Sequence, residues 1–237
     1  MIFWPSALLA DILSPAICAG CGQEGSWLCG RCLGGITWDA NAACIGCRRL
    51  TEMAAVCDLC RKELPIKGVM AIARYSDPII QRIVHAVKYA SAQAVADAFA
   101  VLIGAFVESS VAEIFRQRIG NNALIVPVPL HRRRAFARGF NQSELIAAAL
   151  AGRGFGTMAI NLLIRERSTR PQVELAHGER TKNVKDAFQC IAPDAVRGRT
   201  IVIVDDVVTT GATIGACAHA LRSAGAREVW AFALARG

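Results

Sequence analysis

The 237-residue sequence has no long uninterrupted apolar run, although 54% of its residues are hydrophobic. The longest apolar stretch, Ala94 to Val107, is interrupted by Asp97 and is too short to span a bilayer. The first fifteen residues are apolar but lack a basic segment and contain Asp11, so we expect no export signal. These absences argue against a membrane protein and predict a cytoplasmic one whose thiols stay reduced.

The composition is not extreme: the chain has 20 Gly and 8 Pro, and 19% of its residues are charged. This excludes a disordered chain, a collagen and a low-complexity polymer. The length allows one large domain, or a medium domain with a small appendage.

The net charge of +8 is concentrated in one part of the chain. Residues 1–67 hold six basic and six acidic residues, whereas residues 130–185 hold eleven Lys or Arg against four Glu. A concentrated positive charge favours a polyanionic ligand, either a phosphorylated small molecule or nucleic acid. A solvated basic surface is the alternative interpretation.

Eight of the ten cysteines form four C-x-x-C pairs within the first sixty residues: Cys18 and Cys21, Cys29 and Cys32, Cys44 and Cys47, Cys57 and Cys60. Each pair places two thiolates on one side of a tight turn, and two such turns complete a tetrahedral zinc site. The pattern therefore predicts two structural zinc sites without a catalytic role. A redox dithiol needs only one such pair, and a disulfide framework needs export. We favour sequential pairing of the turns, while interleaved pairing stays open.

After Pro65 the pattern changes to alternating strands and helices, which places a domain boundary near residue 65 and predicts domains at 1–65 and 66–237. Residues 68–76 and 121–129 read as strands. Asp77 and Pro78 begin a predicted helix, residues 90–115 read as helical, and Asn141 and Glu144 have capping-box spacing before another helix. The final strand, turn, helix and strand predict a parallel sheet with right-handed crossovers.

The clearest chemical motif follows the apolar strand at residues 199–206, which is predicted to end in Asp205 and Asp206. Paired carboxylates at a buried strand need a diol or a metal to offset desolvation and repulsion. A loop of small and hydroxylated residues comes next and opens a helix: Thr209, Thr210, Gly211, Ala212 and Thr213. Such a loop predicts a phosphate site, so the motif as a whole predicts a pentose 5-phosphate ligand. A surface acidic pair before a threonine-rich turn is the alternative.

This motif resembles the fingerprint of the phosphoribosyltransferases. That resemblance implies that the aspartates hold the ribose hydroxyls of phosphoribosyl pyrophosphate, bound with Mg²⁺, and that the loop from Thr209 to Thr213 holds its 5-phosphate. Together with the cysteine pairs, the segments YSDPIIQRIVHAVKY and VPVPLHRRRAFARGFNQSELIA and the spacing R-x-R-x-T-x-x-Q-x-x-L from Arg165 resemble the ComF family over nearly the whole chain.

The ComF resemblance implies an α/β fold: a double zinc ribbon followed by a phosphoribosyltransferase type I-like parallel sheet with helices on both faces. It further implies a pyrophosphate loop at residues 126–134 and a mobile flap at residues 165–188. Lys88, His131 and Arg132 are then candidate phosphate contacts. His131 has two alternatives, a proton shuttle and a plain surface residue.

Two functions remain in view. The first is binding of phosphoribosyl pyrophosphate or a similar phosphorylated sugar, with transfer of its phosphoribosyl group to an acceptor that the sequence does not specify. The second is non-enzymatic binding of single-stranded DNA in competence, DNA uptake or DNA utilisation, for which the resemblance implies a DNA-uptake helicase as partner. Trp27 and Trp38 would stack on bases in the second case, or fill a small core.

Overall fold

The computed structural model describes residues 16–40, 42–86, 91–130, 136, 139–165 and 187–237. The elements of these ranges are, in chain order, α1 (Gly30–Gly34), a 3-10 turn (Glu52–Ala54), α2 (Asp58–Arg61), β1 (Val69–Arg74), α3 (Pro78–Ala86), α4 (Ala92–Val107), α5 (Ser110–Ile119), β2 (Leu124–Pro127), α6 (Gln142–Ala151), β3 (Thr157–Met158), β4 (Leu163–Arg165), β5 (Phe188–Cys190), α7 (Pro193–Val196), β6 (Thr200–Val208), α8 (Ala212–Ser223) and β7 (Glu228–Arg236).

Five strands form a parallel sheet in the order β1, β7, β6, β2, β3. β6 is rich in β-branched residues and β7 is rich in alanine and aromatic residues, and both are buried along most of their length, as expected for strands covered on both faces. β4 and β5 form a separate antiparallel pair. The predicted parallel α/β sheet is confirmed.

Alternate residues of each central strand point to opposite faces of the sheet, and each face has its own core. One core joins Val202 and Phe232 to residues of α3, α4, α5 and α6. The other joins Ile203 and Ala231 to residues of α7 and α8. Helices therefore cover both faces, as the family resemblance implied.

The cysteine-rich segment covers the free edge of β1. The N–H of Asp39 donates to the carbonyl of Ile72 at 2.9 Å, and the N–H of Val56 donates to the carbonyl of Lys67 at 2.9 Å. Because an open edge strand invites pairing with another chain, these bonds protect the sheet. The boundary near residue 65 stays a prediction.

A buried ion pair also joins this segment to the last strand. The Nε of Arg236 donates to Asp39 Oδ2 at 2.6 Å, and the same guanidinium donates to the carbonyl of Ala43 at 2.8 Å. The Asp39 side chain is fully buried. Such a pair destabilises the fold when one partner is lost, because the other charge is left buried.

One predicted helix start is confirmed, and one predicted helix is divided in two. The carboxylate of Asp77 accepts from the N–H groups of Ile79 and Ile80 at 2.8 and 3.2 Å, so it begins α3 as predicted. The helical stretch predicted for residues 90–115 is instead two helices, α4 and α5, bent by 90°. The Ser109 side chain accepts from the N–H of Ala112 and starts the second helix.

No single helix in the described ranges is long and apolar enough to cross a membrane. Only α4 and α5 taken together reach that length and composition, and they are bent sharply at residues 108 and 109.

Candidate functional site

The eight paired cysteines form two clusters in the structure. The first cluster contains Cys18, Cys21, Cys29 and Cys32, and the second contains Cys44, Cys47, Cys57 and Cys60; the sulfur atoms of each cluster all lie within 4.8 Å of one another. This is the sequential pairing that the sequence favoured. All eight thiols are free.

The spacing of the sulfur atoms fits a tetrahedral metal site. Cys21 and Cys29 have their sulfur atoms 3.8 Å apart, and Cys47 and Cys57 have theirs 3.6 Å apart. A tetrahedron with zinc–sulfur distances of about 2.3 Å has edges of about 3.8 Å, whereas a disulfide needs about 2.05 Å. Both clusters can therefore hold zinc, and they form a double zinc ribbon.

Backbone donors support the thiolate form within each cluster. The N–H of Cys29 donates to Cys18 Sγ at 3.3 Å, and the N–H of Cys57 donates to Cys44 Sγ at 3.5 Å. Burial alone would raise the pKa of Cys18, but backbone N–H groups outweigh it and lower that pKa to about 6. The same balance lowers the pKa of Cys44 to about 7. Two thiols are thus prepared to bind a cation.

The last cysteine of each cluster behaves in the opposite way. Burial, followed by the neighbouring sulfur atoms, raises the pKa of Cys32 to about 12. Cys60 has its pKa raised to about 12 for the same reasons. Four thiolates so close together repel one another, so complete deprotonation requires a bound divalent cation.

Asp205 and Asp206 lie near the carboxyl end of β6, but they do not terminate it. The strand continues through Val207 to Val208, so the prediction that it ends at the two aspartates is wrong by two residues. The reason is that both valines pair with β7, opposite Ala235 and Arg236. The threonine loop then begins directly after the strand.

The N-terminus of α6 contacts both aspartates. Ser143 Oγ donates to Asp205 Oδ1 at 3.1 Å, and Gln142 Nε2 donates to Asp206 Oδ2 at 3.3 Å. Asn141 fixes this end of the helix, because its side chain accepts from the N–H of Ser143 and donates to the carbonyl of Val128. The sequence indicated the Asn141 cap but not the contacts that follow it, which join residues more than sixty positions apart.

The two carboxylates interact strongly. Burial, and then the negative charge of Asp206, raises the pKa of Asp205 to about 8. Asp205 therefore favours its protonated form near neutral pH. Strongly shifted carboxyl groups are a common feature of functional sites.

The loop after β6 has the features of an anion site. Gly211 has a φ of +76°, a left-handed conformation that other residues avoid, and it caps α8. Within the described ranges, the backbone N–H groups of Thr209, Thr210 and Gly211 have no hydrogen-bond acceptor. The N–H of Ala212 donates to Thr210 Oγ1 at 3.3 Å. Thr213 lies in the first turn of α8.

The other predicted phosphate contacts, Lys88, His131 and Arg132, lie outside the described residues. So do nine of the eleven basic residues of the segment at 130–185. Of its eleven basic residues, the structure describes Arg153 and Arg165. Arg153 donates to the carbonyls of Ala149 and Ala100, and the Arg165 guanidinium lies 5.3 Å from the ring centre of Phe188.

A second basic region lies at the amino ends of β1 and β7, at the end of the sheet opposite the acidic pair. No pattern in the sequence indicated it. A cleft of about 320 Å³ lies beside the amino ends of β1 and β7, and its charged lining residues are Arg61, Lys67, Arg222, Arg227 and Glu228. These cations come from two distant parts of the chain, residues 61–67 and 222–227, so no local run of charge marks them.

The two tryptophans have different surroundings. Trp27 is half-buried and lines an apolar cavity of about 200 Å³ together with Phe99 and Ile83, in keeping with the core interpretation. Trp38 is 40% exposed, and its backbone pairs with that of Ala73.

Comparisons with known proteins agree with this architecture. The phosphoribosyl transferase domain matches residues 149–237, which include β6, the acidic pair and the threonine loop. The DNA utilization protein YhgH of Salmonella typhi is 31% identical over 232 residues, covering 89% of this chain and 96% of that protein. The chain belongs to the ComF family.

Other members of the ComF family match smaller parts of the chain. The DNA utilization protein YhgH of Escherichia coli K12 is 33% identical over 185 residues, covering 76% of this chain and 77% of that protein. Competence protein F of Haemophilus influenzae is 34% identical over 114 residues, covering 47% of this chain and 49% of that protein. This chain thus combines a phosphoribosyltransferase-type domain with two cysteine clusters that fit a double zinc ribbon.

Proposed function

We propose that this ComF-family protein binds phosphoribosyl pyrophosphate together with Mg²⁺. The observation that carries the proposal is the loop from Thr209 to Gly211, whose three N–H groups have no acceptor among the described residues and begin two valines after the two carboxylates of β6. N–H groups at a helix N-terminus bind phosphate oxygens, and carboxylates bind sugar hydroxyls. The two parts together suit a phosphorylated pentose.

Each part of the site has a distinct role in this proposal. Asp205 and Asp206 accept hydrogen bonds from the ribose hydroxyls, and Ser143 and Gln142 hold the two carboxylates in position. The threonine loop holds the 5-phosphate. Bound Mg²⁺ neutralises the pyrophosphate charge. Lys88, His131 and Arg132 remain proposed contacts for the phosphates, and a cytoplasmic location, where thiols stay reduced, suits the cysteine clusters.

Titration calorimetry on zinc-loaded protein with phosphoribosyl pyrophosphate and Mg²⁺ tests this proposal. Asp206→Asn should raise the Kd by about tenfold or more, because it removes charge-assisted hydrogen bonds to the sugar. Asp194→Asn is the matched control, since Asp194 is an almost fully exposed carboxylate outside the site. Absence of binding by the unsubstituted protein, or an Asp206→Asn variant that binds normally, would contradict the proposal.

If binding is found, pyrophosphate release should be measured in the presence of a panel of purine and pyrimidine bases. Release that depends on one base identifies a transferase and its acceptor. Binding without release identifies a protein that uses the ligand as a signal or a structural element.

A second candidate function is binding of single-stranded DNA. It is favoured by the basic cleft at the opposite end of the sheet, where four cations face one carboxylate, and by relatives named as DNA utilization proteins. Clustered cations suit the phosphates of a nucleic-acid backbone, and this kind of binding weakens steeply as the salt concentration rises.

Fluorescence anisotropy with a labelled oligonucleotide at several salt concentrations tests this second candidate. Lys67→Gln should weaken binding and lower the salt dependence by about one unit of slope. Arg118→Gln removes the same charge from the exposed face of α5 and should have little effect. Equal weakening by both variants would indicate nonspecific attraction and reject the cleft as the DNA site.

A further inference from the structure

The second cysteine cluster contacts the threonine loop. Ile45 lies between Cys44 and Cys47 and is 2% exposed, and Leu64 follows Cys60 by four residues. A methyl group placed on Gly211 would lie 3.5 and 3.6 Å from the two methyl carbons of Leu64 and 3.7 Å from Ile45 Cγ2. These two side chains of the zinc ribbon therefore lie beside Gly211, close enough to touch a single added methyl group.

The contact continues along the beginning of α8. A methyl group on Gly215 would lie only 2.8 Å from Leu64 Cδ2, so the glycine leaves room for that leucine. One turn further on, His219 Nε2 lies 3.1 Å from the carbonyl oxygen of Glu63. The segment at residues 63–64 therefore follows the first two turns of the helix that the loop opens.

The first cluster packs on the other face of the sheet. Cys18, Cys32 and Ile36 belong to the core that includes Ile80 and Phe99, whereas Cys44 and Ile45 belong to the core that includes α8. The two clusters thus have the same local chemistry and different neighbours, which provides an internal control.

We expect the positions of Ile45 and Leu64 to depend on the second metal site, because both residues lie near its cysteines in the chain. Ile45 is inside the first turn of the cluster, and the N–H of Leu64 donates to the carbonyl of Cys60 at 2.9 Å. A structural zinc site holds such turns in place, and the turns lose their shape when the ligands are freed. A loop that binds phosphate through backbone N–H groups binds more tightly when those groups are already in position.

We propose that Ile45 and Leu64 are positioning residues for the phosphate loop, so that metal in the second cluster, and not in the first, controls how tightly the loop binds phosphate. The identity of the ligand rests on the proposed function. The positioning itself is a property of the loop and can be measured without a ligand.

The main test compares Leu64→Ala with Leu33→Ala. Leu33 is also a half-buried leucine that follows the last cysteine of its cluster, directly in this case, but it packs on the other face. With phosphoribosyl pyrophosphate and Mg²⁺ as the probe, Leu64→Ala should raise the Kd by about tenfold, within the usual range for coupled sites, and Leu33→Ala by less than twofold. Hydrogen exchange of the peptide at residues 207–215 should become faster in the Leu64→Ala variant alone.

A second pair of variants tests the role of the metal. Cys21→Ser and Cys47→Ser each remove an exposed ligand from the same place in its cluster. Hydrogen exchange at residues 207–215 should become faster only with Cys47→Ser, and zinc content measured with a colorimetric chelator should fall in both variants.

Gly215→Ala tests the same contact from the helix side and leaves both clusters intact. Its methyl group displaces Leu64, so the Kd should rise in the parent protein and change little further in the Leu64→Ala background. This variant keeps the proposal testable if Cys47→Ser or Leu64→Ala fails to fold.

The outcomes separate the two proposals. If the parent protein does not bind the probe but loop exchange responds only to the second cluster, the ligand is wrong and the positioning role stands. If the parent protein binds the probe and all variants leave affinity and exchange unchanged, the positioning role is overturned. Equal responses to Leu33→Ala and Leu64→Ala would also overturn it.

Discussion

The two cysteine clusters are nearly identical in sequence pattern and differ in what they contact. Seven residues separate the two turns of the first cluster and nine separate those of the second. The first packs against α3 and α4, and the second packs against α8 beside the threonine loop. Two sites with the same chemistry can therefore have different consequences, because their role depends on the surface that each one supports.

Loss of one cysteine ligand should have the largest effect on stability, and the effect should be the same for both clusters. Cys32→Ser and Cys60→Ser each remove one of four ligands, and loss of a structural metal should lower the free energy of unfolding by about 5 kcal/mol or more. Urea denaturation of the zinc-loaded variants measures this. If one variant is much more stable than the other, the clusters differ in strength as well as in position.

Asp39→Asn should have the next largest effect, since it tests the link between the ribbon segment and the last strand. It leaves the Arg236 charge buried without a full counter-charge, which should cost about 3 kcal/mol. Arg74, 3.9 Å from Asp39, is the control: Arg74→Gln should cost less than about 1 kcal/mol because its side chain is 66% exposed. Equal losses would mean that the buried pair is not the important contact.

The acidic pair is held by α6, on the face of the first cluster, and its response to pH should not depend on the second cluster. Since the pKa of Asp205 is raised to about 8 in the folded protein, folding favours the protonated form. This stabilisation is complete below the unfolded pKa of about 4 and is lost as the pH rises to about 8.

The free energy of unfolding should therefore fall over this interval, because each unit of pKa shift corresponds to about 1.4 kcal/mol. Urea denaturation at several pH values measures it. Asp205→Asn should flatten the profile and Leu64→Ala should not. A profile that stays steep in the Asp205→Asn variant would assign the titration to another group.

The smallest effect is expected at the basic cleft. Lys67 pairs with Glu228 at 3.3 Å, but both side chains are solvent-accessible, so Lys67→Gln should change the free energy of unfolding by less than about 1 kcal/mol. Thermal denaturation checks this. A larger loss would mean that changes in DNA binding by this variant reflect misfolding.

Much of the fold could be predicted because its signals are local. The repeated C-x-x-C spacing indicated the metal clusters, and the order of apolar strand, turn, helix and apolar strand at the end of the chain indicated the parallel sheet. The helix start at Asp77 was also readable, since a cap depends on residues two and three positions away. The continuation of β6 beyond Asp206 could not be predicted from the sequence, because it depends on pairing with β7.

The candidate site was predicted in part. The acidic pair and the threonine loop are contiguous in sequence and were found from it. The roles of Gln142 and Ser143 were not predicted, because their contacts with the aspartates join distant parts of the chain. Sequence also gave no reason to associate Leu64 with Gly211, since only the docking of the ribbon on α8 brings them together.

The sequence by itself therefore determined the cysteines of both clusters, the final order of strand, helix and strand, and the motif of the candidate site, because each depends on neighbours within a few residues. Only the tertiary structure decided which cluster supports the loop, which helix holds the aspartates and where Arg236 finds its partner. These features depend on how the two faces of the sheet are filled, and that packing joins residues that local patterns cannot relate.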